Sequence, residues 1–187
     1  DYCTIDGLTI NNNIGGHGPS TDGIDIDSSC NILVENCDVD CNDDNICLKA
    51  GRDADGLRVN RPTENIVIRN CTVHKGGGLI TCGSETSGGI RNVLAHDLKA
   101  FGTSNVLQLK SAMTRGGVIE NIYITRVEAK NVRRIFGADP NWNPKYNYST
   151  LPENYKGKEL PEHWKVMLTP VIPSEKGFPH FRNIYLS

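Results

Sequence analysis

The fold is decided by a phrase that reads Asn31-Ile32-Leu33-Val34-Glu35-Asn36-Cys37 and recurs as Asn65-Ile66-Val67-Ile68-Arg69-Asn70-Cys71. Aliphatic and polar residues alternate in both copies, and this period of two is typical of short β-strands. Shorter versions of the phrase begin at Asn92, Asn121 and Asn183, and residues 5–10 follow the same alternation. The Ile or Val positions 5, 32, 66, 93, 122 and 184 are 27, 34, 27, 29 and 62 residues apart, the last being twice 31. The chain is therefore built from repeats.

A second strand-like run follows the phrases, at residues 23–27, 45–49, 79–82 and 106–110. No convincing amphipathic helix of ten or more residues is visible. Short strands in a regular repeat predict an all-β fold, a right-handed parallel β-helix with coils of about 22–34 residues. One coil cannot bury its apolar face alone, whereas stacked coils form a continuous core. The repeated Asn suits side-chain ladders at turns, because Asn tolerates the left-handed backbone region. A β-sandwich with irregular loops is the alternative.

The predicted domain organisation is a single β-helix domain over residues 1–187. No capping helix precedes Asp1, and solenoid ends normally need caps, so we expect N-terminal coils to be missing. Residues 138–181 carry both Trp and most of the Pro, and this texture predicts an ordered excursion that rejoins the repeat at Phe181.

Composition narrows the function classes. The 187 residues have a formal net charge of -2. The sequence therefore does not resemble a nucleic-acid binder, which would carry a basic patch or stripe. No apolar run approaches the roughly 20 residues that span a membrane. The seven Cys include no C-x-x-C pair, and most of them are expected to act as small buried hydrophobic residues.

Acidic residues concentrate at one position of consecutive coils. Asp22 directly precedes one strand-like run, and Asp43 and Asp44 precede the next. Asp22 and Asp43 are 21 residues apart, close to one coil, so we expect the three carboxylates at one corner on neighbouring rungs about 5 Å apart. Mutual repulsion would raise the pKa of at least one of them, and a neutral acid beside ionised bases is what glycoside hydrolysis needs.

Two other interpretations of these carboxylates stay open. Turn Asp residues often only cap loops, and Asp25 and Asp27 are expected to do this. Clustered carboxylate oxygens also suit Ca²⁺. The sequence contains no D-x-D-x-D-G loop, so no metal or other cofactor is predicted.

Ser20-Thr21-Asp22-Gly23, followed by Asn42-Asp43-Asp44, resembles glycoside hydrolase family 28, the polygalacturonases and related pectin hydrolases. Residues 83–89, 91–93, 109–111 and 115–117 also match, and they resemble the bacterial branch most closely. The resemblance runs from Cys3 to about Asn143 and implies a C-terminal fragment of a longer family member. It implies an inverting hydrolase on a right-handed parallel β-helix.

The resemblance also implies roles for single residues. Asp43 matches the general acid that protonates the leaving oxygen, and Asp22 and Asp44 match the carboxylates that hold and activate water. Inversion generally needs carboxyl groups about 6.5–9.5 Å apart. Lys110 matches a lysine that binds a substrate carboxylate.

Two positions depart from the family pattern. Gly77 stands where the family has the His of Gly-His-Gly, and Gln108 stands where it has the Arg of Arg-Ile-Lys. Gln cannot replace the bidentate charge of Arg, so the substrate could be rhamnogalacturonan or another modified pectin. The chain's own Gly-His-Gly lies before the first Asp; we interpret it as a chance match, although His17 could reach the site from its loop. His74 is a weaker candidate.

Further binding residues are proposed from position. Arg52 follows the turn after the Asp43–Asp44 run and is a candidate for binding anionic sugar, against a solvated loop charge. Trp142 and Trp164 could stack on sugars, although packing is the preferred role.

The sequence thus predicts a pectin hydrolase whose partner is a pectic polysaccharide or oligosaccharide, with no nucleic acid and no membrane. A non-catalytic polysaccharide-binding β-helix and a calcium-dependent, pectate lyase-like enzyme are the alternatives. The substrate class implies a secreted or periplasmic protein.

Overall fold

The computed structural model describes residues 1–13, 18 and 20–187. Fourteen strands occur in the described residues: β1 Cys3–Asp6, β2 Thr9–Asn11, β3 Ile24–Asp27, β4 Cys30–Glu35, β5 Asp38–Asp40, β6 Ile46–Lys49, β7 Thr63–Arg69, β8 Thr72–His74, β9 Gly78–Cys82, β10 Ile90–Phe101, β11 Asn105–Lys110, β12 Val118–Lys130, β13 Arg134–Asp139 and β14 His180–Leu186. The helices are α1 Asp53–Val59, α2 Pro144–Asn147 and α3 Glu162–Met167, with 3₁₀ turns at Glu153–Tyr155 and Ser174–Gly177.

The strands form two parallel sheets that stack coil upon coil. The first sheet has nine strands and the second has five, in the order β13-β11-β9-β6-β3. In the first sheet, β10 pairs with both β7 and β8. One long strand therefore occupies the position that two shorter strands occupy in the preceding coil. This stacking confirms the predicted parallel β-helix.

The register confirms four of the five predicted repeat spacings and corrects the first. Ile32 pairs with Ile66, Ile66 with Val93, Val93 with Ile122, and Ile122 with Ile184. In the first coil, however, Cys3 is the partner of Ile32, and Ile5 pairs with Val34. The predicted alignment of Ile5 with Ile32 was wrong by two residues, because a slip of two keeps every side chain on the same face.

The repeated Asn residues form the expected ladder. Asn31, Asn65, Asn92, Asn121 and Asn183 all have positive φ between 54° and 58°. From Asn65 onward, the Nδ2 of each Asn donates to the Oδ1 of the preceding Asn at 3.1–3.3 Å. The ladder therefore combines a left-handed turn that Asn tolerates with a side-chain hydrogen bond from coil to coil.

The core runs along the axis between the two sheets. Ile24, Ile46, Ile80 and Leu107 pair in register in the second sheet and are all buried. All seven Cys are free thiols and five are buried, which confirms that most act as small hydrophobic residues. Burial raises the pKa of Cys82 to about 12, so this thiol is protonated at neutral pH.

The segment between β13 and β14 leaves the sheets. It contains α2, α3 and both 3₁₀ turns, and the chain then returns beside β12 as β14. Helix α1, between β6 and β7, was not predicted, because seven residues are too few to show a helical period. Whether residues 1–187 form one domain stays a prediction. No helix in the described part of the chain is long and apolar enough to cross a membrane.

Candidate active site

The three acidic residues lie where the chain enters the second sheet. Ile24 of β3 pairs with Ile46 of β6. Continued two residues back, this register places Asp22 beside Asp44, and the Gly23 N–H donates to the Asp44 carbonyl at 2.9 Å. The sequence predicted Asp43, 21 residues after Asp22, as the neighbour on the next rung. In the second sheet the register partners are 22 residues apart, so the neighbour is Asp44.

Small or amide side chains allow the two turns to stack closely. A Cβ on Gly23 would lie 2.5 Å from the Asn45 carbonyl oxygen, so a larger residue would push the rungs apart. Asn45 is fully buried and donates from Nδ2 to the carbonyls of Lys75 at 3.1 Å and Gly78 at 3.0 Å. These contacts fix the backbone that carries Asp43 and Asp44.

The carboxyl groups of Asp22, Asp43 and Asp44 converge. Their nearest oxygens all lie within 4.8 Å of one another. This is closer than the 6.5–9.5 Å expected between the groups of an inverting pair. A single water can still bridge two carboxyl groups at this distance, because it can donate a hydrogen bond of about 2.8 Å to an oxygen of each. The spacing alone therefore does not carry the stereochemical outcome, which stays a prediction.

Asp44 is the most buried member of the cluster, with 4% of its surface exposed. Its Oδ2 accepts a hydrogen bond from the Lys110 ammonium at 2.6 Å. Its Oδ1 accepts from the Thr81 hydroxyl at 2.8 Å and the Gly78 N–H at 3.2 Å. Burial disfavours the Lys110 ammonium, but the charge and hydrogen bond of Asp44 outweigh it and raise the pKa of Lys110. The contact with Asp44 therefore stabilises the charged form of Lys110.

Asp43 is partly buried, and the hydrogen-bond partners of its carboxylate among residues 1–13, 18 and 20–187 are backbone N–H groups. Its Oδ2 accepts from the Ser20 N–H at 3.0 Å, and its Oδ1 accepts from the Asp44 N–H at 2.9 Å. It lines the cleft described below. A carboxyl group with this exposure can reach a glycosidic oxygen.

Asp22 is paired with Lys49. The Lys49 ammonium lies 3.2 Å from Asp22 Oδ2 and 2.9 Å from Asp25 Oδ2. Burial raises the pKa of Asp22, the carboxylates of Asp25 and Asp43 add to the rise, and Lys49 opposes it. Asp22 is thus a carboxyl group whose protonation depends on its neighbours.

The cluster forms the floor of a cleft with a volume of about 510 Å³. Its lining also includes Ser84, Glu85 and Asn143, together with an aromatic wall formed by Trp142 and Tyr146. The Lys110 ammonium lies 4.5 Å from the centre of the Trp142 ring. The cleft therefore presents carboxylates, two ammonium groups and an aromatic wall to a single ligand.

A buried charged network ties the aromatic wall to the β-helix. Arg115 is fully buried and donates to the Asp53 carboxylate, to the Ser84 carbonyl at 3.1 Å and to Asn147 Oδ1 at 2.5 Å. Burial lowers the pKa of Arg115, while the charge of Asp53 works against that change. Arg115 thus fixes the excursion around Asn147 to the turn at Ser84, which also lines the cleft.

The predicted substrate-binding residues occupy different places. Lys110 lines the cleft, whereas Arg52 donates to Ser149 Oγ at 2.9 Å and approaches Glu85 at 4.0 Å from behind the wall. His17 lies outside the described residues. The binding roles of these residues stay predictions.

Of the two departures from the family pattern, Gly77 lies directly against the cluster, and Gln108 lies one strand further on. A Cβ on Gly77 would lie 2.4 Å from Asp44 Oδ1, so the space that a side chain would need is taken by this carboxylate. Gln108 is buried in β11 beside Thr81, with its Oε1 unpartnered among the described residues. Their proposed roles in binding also stay predictions. His74 stacks on Phe101 in the first sheet and pairs with Asp38, away from the cleft.

Sequence reasoning missed several cleft residues. Asp25 was expected to cap a loop, but it lines the cleft and contacts Lys49; Asp27 does cap a turn, accepting from the Gly51 N–H at 3.1 Å. Glu85 and Lys49 were not proposed as site residues. Lys49 carried a signal, because it ends the strand that follows Asp44, while Glu85 sits in a loop that no period could place.

Within the part of the chain that the structure describes, two groups of side chains could geometrically hold a cation: Asp22 with Asp43 and Asp44, and Asp22 with Asp25 and Cys47. The Lys49 and Lys110 ammonium groups already contact Asp22, Asp25 and Asp44. Calcium would need six to eight oxygen ligands. The donor set therefore fits acid–base chemistry better than calcium binding.

Known proteins match this chain over most of its length. The model of "Glycosyl hydrolases family 28" matches residues 1–147. A probable polygalacturonase of Vitis vinifera is 33% identical over 158 residues, covering 84% of this chain and 31% of that protein. An endo-polygalacturonase of Pectobacterium parmentieri is 32% identical over 158 residues, covering 84% of this chain and 35% of that protein.

A solved structure has the same fold. The crystal structure of a hyperthermoactive exopolygalacturonase from Thermotoga maritima superimposes with a TM-score of 0.71 at 35% identity, over 80% of this chain and 33% of that one. The chain thus spans about a third of the length of these relatives. Both a plant and bacteria supply them, so the predicted bacterial branch stays a prediction, as does fragment status.

Proposed function

Since the chain belongs to glycosyl hydrolase family 28, we propose that its cleft hydrolyses α-glycosidic bonds of a polygalacturonate-type pectin. The observation that carries the proposal is the convergence of Asp22, Asp43 and Asp44 within 4.8 Å in an open cleft. Three carboxyl groups held this close repel one another, and a module that only binds polysaccharide has no need of them.

The roles follow from each environment. Asp43 is the general acid, because it is the carboxyl of the three that has no cation in contact among the described residues and it faces the cleft. Asp44 is paired with Lys110, and Asp22 lies beside it, paired with Lys49. A water between Asp22 and Asp44 can donate to both, and its attack from the face opposite Asp43 would invert the configuration at the sugar carbon.

The charges favour an anionic sugar. Lys49 and Lys110 both line the cleft, and an ammonium group binds a carboxylate as a point charge. Trp142 adds an apolar face beside Lys110. Gln108 supplies no positive charge, so rhamnogalacturonan, in which uronate alternates with neutral sugar, is the second candidate substrate. Both polymers occur in plant cell walls, so the protein would act outside the cell.

The test is the release of reducing sugar from polygalacturonate and from rhamnogalacturonan, with a metal chelator present. Wild type is compared with Asp43→Asn, and with Asp38→Asn, an exposed carboxylate on the other sheet, as the matched control. Loss of a general acid lowers the rate by about 10²–10⁴-fold. We expect that loss in Asp43→Asn only.

The other functions predict different results. A calcium-dependent lyase would stop with chelator and give an unsaturated product that absorbs ultraviolet light. A folded wild type that binds pectin but releases no sugar from either polymer would overturn the hydrolase proposal and leave a binding module.

A further inference from the structure

We propose that Lys49 is a positioning residue that keeps Asp22 ionised for holding water, and that Asp25 weakens this effect because it pairs with the same ammonium group. This inference rests on the proposed function, in which Asp22 is a base. It assigns roles to two residues of the cleft wall that the acid–base chemistry itself does not use.

The geometry places Lys49 between two carboxylates. Lys49 is the last residue of β6, and Asp25 lies on the adjacent β3, whose Asp27 is the register partner of Lys49. The ammonium contacts Asp25 Oδ2 at 2.9 Å and Asp22 Oδ2 at 3.2 Å. The side chain of Asp25 is 43% exposed, against 18% for Asp22. Lys49 is thus shared between a solvated anion and a half-buried one.

The charged and titratable groups that face Asp22 are mostly acidic. They come from its own coil, from the turn before β6 and from β6 itself, and they are Asp25, Cys41, Asp43, Asp44, Cys47 and Lys49. The second ammonium of the cleft, on Lys110, contacts Asp44. Within the described residues, Lys49 is therefore the one cation in contact with Asp22.

This balance decides the state of Asp22. Burial raises its pKa, Asp25 and Asp43 raise it further, and Lys49 lowers it. Burial disfavours the Lys49 ammonium, but the charge of a Cys47 thiolate, the hydrogen bond to Asp25 and the charges of Asp22 and Asp25 outweigh burial and raise the pKa of Lys49. A protonated Asp22 could not accept the proton of the attacking water, so the ammonium is what keeps this base available.

The two residues should act in opposite directions. Lys49→Met removes the cation that lowers the pKa of Asp22 among the described residues, so the acidic limb of kcat/KM against pH moves to higher pH. Asp25→Asn removes an anion and leaves Lys49 to Asp22 alone, so the same limb moves to lower pH. A merely structural loss would lower activity in both variants without moving the limb in opposite senses.

The experiment pairs this profile with a direct titration. Protein labelled with ¹³C at the Asp carboxyls is titrated by NMR, and Asp22→Asn identifies the Asp22 signal. At a pH on the acidic limb, kcat/KM of Lys49→Met should fall roughly tenfold relative to wild type, the effect of removing an opposite charge in contact. Lys49→Arg, which keeps the charge, should restore the limb, and exposed Lys99→Met on β10 serves as the control.

The titration decides the inference whether or not the chain hydrolyses pectin. Opposite shifts of the Asp22 signal in Lys49→Met and Asp25→Asn support it, and restoration by Lys49→Arg supports it further. Shifts of the same sign, or no shift in Lys49→Met, overturn it. Absence of hydrolysis by folded wild type counts against the proposed function and leaves the titration result standing.

Discussion

Replacing Lys110 by Met tests the ion pair at the floor of the cleft. The side chains of Lys110 and Asp44 are only 11% and 6% exposed, and their charged atoms lie 2.6 Å apart. In Lys110→Met, the donors that the described residues leave to the Asp44 carboxylate are neutral: the Thr81 hydroxyl, the Gly78 N–H and, more distantly, the Cys47 thiol. The substitution therefore leaves the buried Asp44 carboxylate without its Lys110 counter-ion.

The magnitude follows from that loss. Two unit charges about 4 Å apart attract by about 4 kcal/mol at an effective dielectric constant near 20. Breaking a buried pair from one side typically costs about 3–5 kcal/mol. Since the pair lies at the edge of an open cleft, we expect Lys110→Met to lower the free energy of unfolding by about 3 kcal/mol at pH 7. Adding Asp44→Asn should recover about 2 kcal/mol, because no unpaired charge then stays buried.

The assay is urea unfolding of wild type, both single variants and the double variant. Lys130→Met, which breaks an exposed pair with Glu128, is the control and should change stability by less than about 1 kcal/mol. A coupling energy below about 0.5 kcal/mol between Lys110 and Asp44 would refute the reasoning, since the pair would then be no stronger than a surface contact.

The same pair predicts a pH dependence with a definite sign. The folded protein raises the pKa of Lys110. Its contribution to stability is therefore complete below the ordinary lysine pKa of about 10.4 and is lost as the pH rises through the raised value. The stability difference between wild type and Lys110→Met should shrink above about pH 10.4. A difference that instead disappears as the pH falls from 9 to 7 would contradict this assignment.

Three further variants test the surroundings of the cluster. Gly77→Ala places a Cβ 2.4 Å from Asp44 Oδ1 and should cost about 1–3 kcal/mol of stability in urea unfolding; an unchanged midpoint would contradict this contact. Arg115→Met breaks a fully buried ionic network and should cost about 3–5 kcal/mol, whereas a loss under 1 kcal/mol would mean that the network does not fix the cleft wall. Trp142→Ala should raise KM for polygalacturonate roughly tenfold with little change in kcat, and Trp164→Ala, outside the cleft, should not; equal effects would refute a wall that binds sugar.

Much of the fold could be predicted because a parallel β-helix repeats one physical pattern. The alternation around Ile32 and Ile66 fixed which faces are buried, and the Asn at the start of each phrase marked the turn. The register of the first coil could not be fixed in this way. Aligning Ile5 with Ile32 or with Val34 buries the same face, so hydrophobicity does not distinguish the two.

The site divides along a similar line. Asp22, Asp43 and Asp44 were found because the turns before successive strands stack at one edge. Lys49 was given no role and Asp25 was expected to cap a loop, because their contact depends on how the side chains of two strands lean toward each other. Glu85 and Trp142 reach the cleft from loops, whose paths follow no period. The Gly at position 77, where the family has His, was visible in the sequence, but only the structure shows that the Asp44 carboxylate occupies the space of the missing side chain.

The most direct test of the central claim is ¹H NMR of the first new reducing ends formed from a short galacturonate oligomer, with chelator present. If the three carboxyl groups act as proposed, the β-anomer appears before mutarotation and no unsaturated uronate forms. Asp43→Asn should give no new reducing end above background. The α-anomer appearing first would contradict attack by a water held between Asp22 and Asp44. Undiminished product from Asp43→Asn would contradict the catalytic assignment itself.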